Sequence, residues 1–464
     1  MYFKQLYLGC LAHASYIIGS RGDAVVVDPQ RDIETYLTEA AAANLHIRYI
    51  IETHVHADFV SGHRELAERT GATILMGWRA DALFAHRPVR DGDTFAVGDL
   101  ELRILETPGH TPEGISVVIT DRANPEANTK VLTGDTLFIG DVGRPDLIGS
   151  KGYSSEQMAE MLYDSLHEKL LKLDDTVEVF PAHGAGSLCG RNISKETTST
   201  IGVQRRENHA LAPMSKTDFV SLMTRGLPEQ PAYFAIDADL NRRGVPALES
   251  AARATSMSPA DVARKMREGA LLLDVRPSEV YGPEHVKDSM NIGLDGQFAS
   301  WAGTLVPFDR PVIILTENDA QVEETAVRLA RIGFSSLVGY LAGGIVAWKA
   351  VGMPVATTSQ IDVDELDRRL RADPDLYLVD VRRPGEFNAG IAPGAFSMPL
   401  ASFEQMMDQL DPNRQLYVIC GSGYRSSIAT SMLESVGVTN VVDVAGGMGA
   451  YAAAGLRTVV PVSA

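Results

Sequence analysis

The residues best suited to chemistry sit at a few junctions in the chain. In "THVHADFVSGH", Thr53 to His63, His54, His56 and Asp58 stand two apart. That spacing lets imidazole and carboxylate donors converge on a metal ion. Four pieces follow in order: "TPGHTPEG" with His110, "TGDTLF" with Asp135, "GRPD" with Arg144, and "PAHGAGSLCG" with His183 and Cys189. Each ends an apolar run, where an α/β scaffold presents side chains from one rim. Singly each is weak, because a lone histidine is more often a structural hydrogen-bonder than a ligand. Together their spacing indicates a mononuclear metal site. A second chemistry is written in "QLYVICGSGYRSSIATSMLESVG", which reads as strand, tight loop, helix. Cys420 ends the strand. The loop's backbone N–H groups and the helix N-terminus lower a thiol pKa and stabilise an anion on sulfur. Gly421 and Gly423 are expected to supply special backbone angles, and Arg425 closes the loop with the helix beginning near Ser426.

The elements that must hold these residues differ between the two halves. Up to residue 248, β-branched runs such as "AVVVD", "HIRYIIET", "LRILETPG" and "KVLTGD" dominate, with few helical patterns between them. That mix predicts two packed sheets flanked by helices. The N-terminus is expected to form two strands with a turn at "GSRGD". The second half is a repeat. "ALLLDVRPSEVYGPEHVKDSMNI" returns as "DLYLVDVRRPGEFNAGIAPGAFSMPL", and "YLAGGIVAWKAVGMP" as "DVAGGMGAYAAAGLR". Each copy alternates short strands with helices, the pattern of a small parallel α/β sheet. The expected domains are 1–248, 257–356 and 360–462, with linkers near "ESAARATSMSP" and "PVATTSQ". Three domains match a chain of 464 residues at ~150 residues each.

Composition narrows the function classes. A net charge of −18 with no Lys/Arg block excludes a nucleic-acid footprint. No apolar run approaches the ~20 residues of a membrane helix, and the N-terminus makes a poor signal peptide. A cytoplasmic protein is expected. Cys10, Cys189 and Cys420 are the three cysteines, too few for a disulfide scaffold. Cys10, in an apolar run, is read as packing.

The five pieces of the first half, in their order, resemble the metallo-β-lactamase superfamily. The resemblance implies an αββα sandwich with its site at the sheet edge. In two-metal members such as glyoxalase II, the loop reads HxHxDH and its last histidine serves the second metal. Here Phe59 stands in that place. A phenyl ring donates no lone pair, so the second site is expected to be empty. What remains resembles the iron-containing persulfide dioxygenase branch. That resemblance implies one Fe(II) per chain on His54, His110 and Asp135, with His56, Asp58 and His183 around them. Two imidazoles and a carboxylate leave adjacent vacancies for O₂ and a thiolate. The alternative is a one-zinc hydrolase. Arg144 and Arg191 are candidates to hold the carboxylates of a thiol cofactor, with an internal pair to Asp141 or Asp146 open for Arg144. The "HG…CG" pattern puts Cys189 near the metal mouth, as a substrate-side thiol or a buried inert one.

The Cys420 loop resembles the active loop of rhodanese, CxxGxR followed by Ser or Thr. "DVRRPGEF" and "AGGMGAY" complete that pattern. Rhodanese-like phosphatases use a loop one residue longer, so Cys420 to Arg425 is the sulfur-sized version. With Arg425 as its one cation, the loop is not built for a strongly charged donor. In the other copy Thr316 aligns with Cys420, and "TENDAQ" replaces "CGSGYR". That copy is read as an inactive rhodanese, a spacer or an assembly surface. The whole order resembles bacterial fusions of persulfide dioxygenase and sulfurtransferase used in sulfide detoxification. The implied partners are a low-molecular-weight thiol persulfide, O₂ and sulfite, and a homo-oligomer is expected. Two rivals remain: a glyoxalase II-like thioester hydrolase with a rhodanese module, and a non-enzymatic sulfur carrier.

Overall fold

In a computed structural model, residues 1–147, 152–227, 230–248 and 252–460 are described. Residues 249–251 of the expected linker and residues 461–462 of the expected last domain lie outside them. The chain divides into two compact units, Met1–Ala251 with Ala330–Gly333, and Ala252–Leu329 with Phe334–Ala464. Among the described residues, no helix is long and apolar enough to cross a membrane.

The first unit is two six-stranded sheets. The first sheet takes its strands in chain order between Tyr2 and Val89, and the second those between Thr94 and Thr200. Alternation along each strand makes the layers. In Asp23–Val27, Val25 and Val27 join Leu102, Ile104, Val117 and Ile119 of the second sheet in a core between the sheets. Ala24 and Val26 face the other way, onto Tyr36 and Leu66 of the helices Glu34–Ala42 and His63–Thr70. Val118 and Val131 on the second sheet likewise meet Leu162 and Leu166 of the helix Ser155–Glu168. A Ser154–Gln157 capping box starts that helix. The order is therefore helix, sheet, sheet, helix, as the resemblance implied. The N-terminus departs from expectation. It forms three strands, Tyr2–Leu8, His13–Ser20 and Asp23–Val27, because a turn at residues 9–12 breaks the apolar run, with Ala12 at φ 51°. Cys10 lies in that turn, half-buried, and not in a strand.

The second unit holds two sheets of the same strand order. In space the first runs Ser256–Met257, Leu337–Leu341, Val312–Leu315, Leu271–Asp274, Met290–Asn291. The second runs Ser359–Ile361, Val441–Val444, Leu416–Ile419, Leu378–Asp380, Phe396–Ser397. All pairings in both are parallel. An Asp–Arg pair closes the fourth strand of each sheet, Leu271–Asp274 and Leu378–Asp380. Arg276 binds Asp274 through Nε at 2.8 Å and also donates to the Glu284 carbonyl. Arg382 binds Asp380 through Nη2 at 2.7 Å and donates to the Gly390 carbonyl.

Candidate functional site

The metal-site residues come from four strand ends. Strand His46–Glu52 delivers His54 and His56, the turn after Leu100–Glu106 delivers His110, Lys130–Gly134 delivers Asp135, and Glu178–Pro181 delivers His183. Gly134 makes this possible. It sits at φ 51°, and a Cβ there would meet Thr53 Oγ1 at 2.6 Å.

His54, His110 and Asp135 bring one donor atom each to within 4.8 Å of one another, all three buried. Asp135 Oδ2 lies 3.9 Å from His54 Nε2 and 3.4 Å from His110 Nε2. The far nitrogens settle which lone pairs are free. His110 Nδ1 donates to the Arg144 carbonyl at 2.9 Å, and a carbonyl can only accept, so Nε2 is bare. His54 Nδ1 lies 3.0 Å from Thr53 Oγ1, whose own hydroxyl donates to Asp28 Oδ2 at 2.8 Å. That leaves His54 Nε2 bare as well. Burial, with the neighbouring charge of His56, holds the His54 pKa well below its ordinary value, and burial lowers that of His110. Two neutral imidazoles and one carboxylate, their outer atoms already tied, form a donor set that fits a divalent metal.

The residues expected around this triad separate into two groups. Asp58, His183 and Cys189 form one buried group. His183 Nδ1 donates to Asp135 at 2.8 Å, and Nε2 faces Asp58 Oδ2 at 2.8 Å. Burial alone would lower its pKa, but Asp135 and Asp58 outweigh it and raise the value well above normal. Burial, then Asp58 and Asp135, push the Cys189 thiol up, so it is held protonated. His56 turns the other way, to Asp28 at 3.1 Å and Glu52 at 3.5 Å. Burial opposes its charge, yet Asp28 raises its pKa to about 9. Phe59 packs at a tilt against His56, with ring centroids 4.5 Å apart, and against His13 at 4.2 Å.

Both candidate arginines are engaged within the fold. Arg144 is buried and binds Asp146 with Nε and Nη2 at 2.7 Å each, the internal pair that the sequence left open. Arg191 donates to the carbonyls of Leu222 and Met223, at the C-terminal end of the helix Lys216–Thr224. A helix C-terminus attracts a cation there, which accounts for its position.

Sequence reasoning missed Asp28, Thr53, His13 and Asn241. Asp28 ends the run "AVVVD" and Thr53 immediately precedes His54, so their positions were visible while their pairing was not. Asn241 donates to the carbonyls of His56 and Phe59 and accepts from the Ser61 N–H, pinning the metal loop from almost two hundred residues away.

Cys420 ends the strand Leu416–Ile419 and is fully buried. Its Sγ accepts the Gly423 N–H at 3.1 Å. Gly423 is at φ 100°, as expected of a residue that turns the loop. Gly421 is not left-handed. Its lack of a side chain clears space instead, since a Cβ would sit 3.0 Å from Arg425 Nη2. The helix spans Tyr424–Ser435, two residues earlier than expected. Arg425 is held by Glu386 through Nη1 at 2.6 Å and Nη2 at 2.8 Å. Arg425 is the one cation of the loop itself, and Arg383, from another segment, lines the cavity beside it.

A helix-flanked double sheet with a His/Asp metal cradle, followed by two five-stranded parallel sheets of which one presents a thiol loop, defines a metallo-β-lactamase domain joined to tandem rhodanese domains. Residues 8–183 match the metallo-β-lactamase superfamily, and residues 258–351 and 362–454 match the rhodanese-like domain. The mitochondrial persulfide dioxygenase ETHE1 of Bos taurus is 30% identical over 233 residues, 49% of this chain and 82% of the relative. The chain belongs to the persulfide dioxygenases, with the sulfurtransferase fold of rhodanese appended twice. A probable metallo-hydrolase of Burkholderia pseudomallei is 32% identical over 40% of this chain and 68% of its own length. Among solved structures, a metallo-β-lactamase of Staphylococcus aureus superposes with a TM-score of 0.68 at 30% identity, covering 74% of this chain and 99% of its own.

Proposed function

We propose that the chain oxidises a low-molecular-weight thiol persulfide with O₂ to sulfite and free thiol, and that Cys420 then joins sulfane sulfur to sulfite, giving thiosulfate. The division of labour is 1–248 for oxidation, 257–356 without the loop thiol, and 360–462 for transfer. The oxidation balances as RSSH + O₂ + H₂O → RSH + SO₃²⁻ + 2H⁺. The transfer balances as RSSH + SO₃²⁻ → RSH + S₂O₃²⁻. The observation that carries the reading is the cradle of two bare Nε2 atoms and one carboxylate, with Phe59 in the loop position where two-metal members carry a further donor.

His54, His110 and Asp135 would hold one Fe(II), which supplies redox chemistry with O₂ that zinc lacks. Asp28, through Thr53, and the Arg144 carbonyl fix the two imidazole orientations. Asp135 and Asp58 hold a proton on His183 beside the cradle. Phe59, packed against His56 and His13, has no lone pair to offer a second metal. In the other half, Gly423 N–H and the helix N-terminus stabilise the sulfur anion left on Cys420 after each transfer. Self-association, the remaining expectation, is read from the protein's mass in solution.

Anaerobic purification with elemental analysis, and oxygen uptake on a defined persulfide, test the reading together. One iron per active chain is expected, and His110→Ala abolishes oxygen uptake while sparing transfer at Cys420. Two zinc ions per active chain would instead make this a thioester hydrolase of the glyoxalase II kind.

A further inference from the structure

Beside the Cys420 loop lies a cavity of about 470 Å³ whose walls come from both rhodanese repeats. Asp295 and Trp301 line it from the inactive copy, and Arg383, Tyr424 and Arg425 from the active one. The two walls are fastened together. Tyr424 Oη donates to the Gly293 carbonyl at 2.8 Å, and Gly296 lies so flat on the Tyr424 ring that a Cβ would approach to 2.4 Å. Deeper, Ser427 Oγ donates to Asn291 Oδ1 at 2.7 Å, and Ser431 Oγ accepts the Asn291 N–H at 3.0 Å.

The charges are distributed unevenly. Glu386 neutralises Arg425. Arg383 and Asp295 are both exposed to the cavity, and neither has an ion pair among the described residues, with each other or with anything else. One wall therefore offers a spare guanidinium and the other a spare carboxylate. The volume far exceeds a sulfite ion and falls within the ~300–1,000 Å³ of small organic ligand sites.

We propose that this cavity seats the thiol partner of the transfer step as an amino-acid-type zwitterion, its carboxylate on Arg383 and its ammonium on Asp295. The inactive repeat is then a specificity element of the active one. This rests on the reading of Cys420 as the transfer thiol. Run towards the thiol, the Cys420 thiolate attacks the sulfane sulfur of thiosulfate and expels sulfite, leaving Cys420 persulfide. The acceptor thiolate then attacks the outer sulfur and expels the Cys420 thiolate, so no external oxidant or reductant enters. A purely anionic or purely cationic thiol satisfies one wall alone.

The test uses the full chain under nitrogen, with thiosulfate as donor and sulfite release as readout. The acceptors are L-cysteine, 3-mercaptopropionate, cysteamine and 2-mercaptoethanol. Each variant is compared with wild type for the same thiol, so differences in thiol pKa cancel. Asp295→Asn should raise KM about five- to tenfold for cysteine and cysteamine and leave 3-mercaptopropionate unchanged. Arg383→Gln should raise KM for cysteine and 3-mercaptopropionate and leave cysteamine unchanged. Neither should affect 2-mercaptoethanol, which also reports that the variants fold. A uniform shift across the four thiols, or no shift, overturns the proposal. Absence of Cys420-dependent sulfite release in wild type would overturn the transfer reading instead. S-methyl analogues of the same thiols, titrated calorimetrically into the three proteins, decide the cavity's selectivity in that case: the same charge pattern upholds it, and its loss refutes it.

Discussion

The two rhodanese repeats share a strand order and an Asp–Arg pair at the end of the fourth strand of the sheet, and they differ where the loop begins. In the active copy Gly423 turns left-handed and offers its N–H to Cys420 Sγ. In the inactive copy no residue from Thr316 to Gln321 is left-handed, and the loop is tied off by its own side chains. The Glu317 N–H donates to Gln321 Oε1 and the Ala320 N–H to Asn318 Oδ1. A second difference lies beneath the loop, where Asp443 stands in the position of Tyr340. Asp443 is buried and accepts from Gln360 Nε2 at 3.0 Å. Fold and chemistry are thus held by separate residues. The sheet survives the loss of every feature that serves the thiol.

Mutations can break this separation, and the largest effect belongs to the sulfur itself. Cys420→Ser should lower thiosulfate formation at least about a thousandfold while oxygen uptake persists and sulfite accumulates. Undiminished enzymatic thiosulfate would move the transfer step to Cys189 or Cys10. Next come the shared pairs. Asp274→Ala and Asp380→Ala each strand a buried guanidinium and should each cost about 3–5 kcal/mol in urea unfolding. Equal losses in the two copies uphold a common structural role, and a loss confined to the active copy would sink it.

Asp443 gives a pH-dependent distinction. Burial raises its pKa from 3.8 to about 6. Between those values the folded chain keeps a proton that the unfolded chain releases, so its contribution is full below pH 3.8 and is lost as pH rises through about 6. The loss amounts to about 3 kcal/mol. Asp443→Asn should flatten that slope, and melting temperatures of the two proteins at pH 5 and pH 8 would show it. An unchanged slope would mean that the carboxyl is not protonated in the fold. Gly423→Ala, which forces a side chain into φ 100°, should slow transfer through about 1–2 kcal/mol of strain, with oxygen uptake as the control. The smallest effect expected is none at all. Thr316→Cys in the Cys420→Ser background should restore no thiosulfate formation, because its loop lacks the glycine, the aimed N–H and the arginine.

The sequence displayed more of the fold than of the electrostatics. Alternating runs such as "AVVVD" and the internal repeat announced sheets and duplication, because burial of one strand face leaves a period of two in the chain. The turn at residues 9–12 was hidden, since its residues are as apolar as a strand's. The convergence of His54, His110 and Asp135 was implied by the family resemblance that the motifs carry. What orients them was not: the partner of His110 is a backbone carbonyl, which has no letter in a sequence. Asp28 and Thr53 meet across neighbouring strands, a relation set by register. For Arg144 and Arg191 the sequence showed positive charge near the site but not the Asp146 carboxylate and helix-end carbonyls that absorb it.

Tandem copies of one strand order create a fidelity problem during folding, because an edge strand lost from one sheet can be replaced by its counterpart from the other. The edge strands here are not interchangeable. Asn291 donates its amide to the carbonyls of Asp274 and Arg276 at 3.0 and 2.9 Å. The residue at the same register in the second sheet is Ser397, too short to reach both. The Asp274 carbonyl would keep a backbone donor, since Met398 N–H bonds Asp380 as Ile292 N–H bonds Asp274, but a swapped chain would leave the Arg276 carbonyl without its donor, which penalises the wrong pairing. The amide of Asn291 thus marks this edge strand as belonging to the first sheet and not the second.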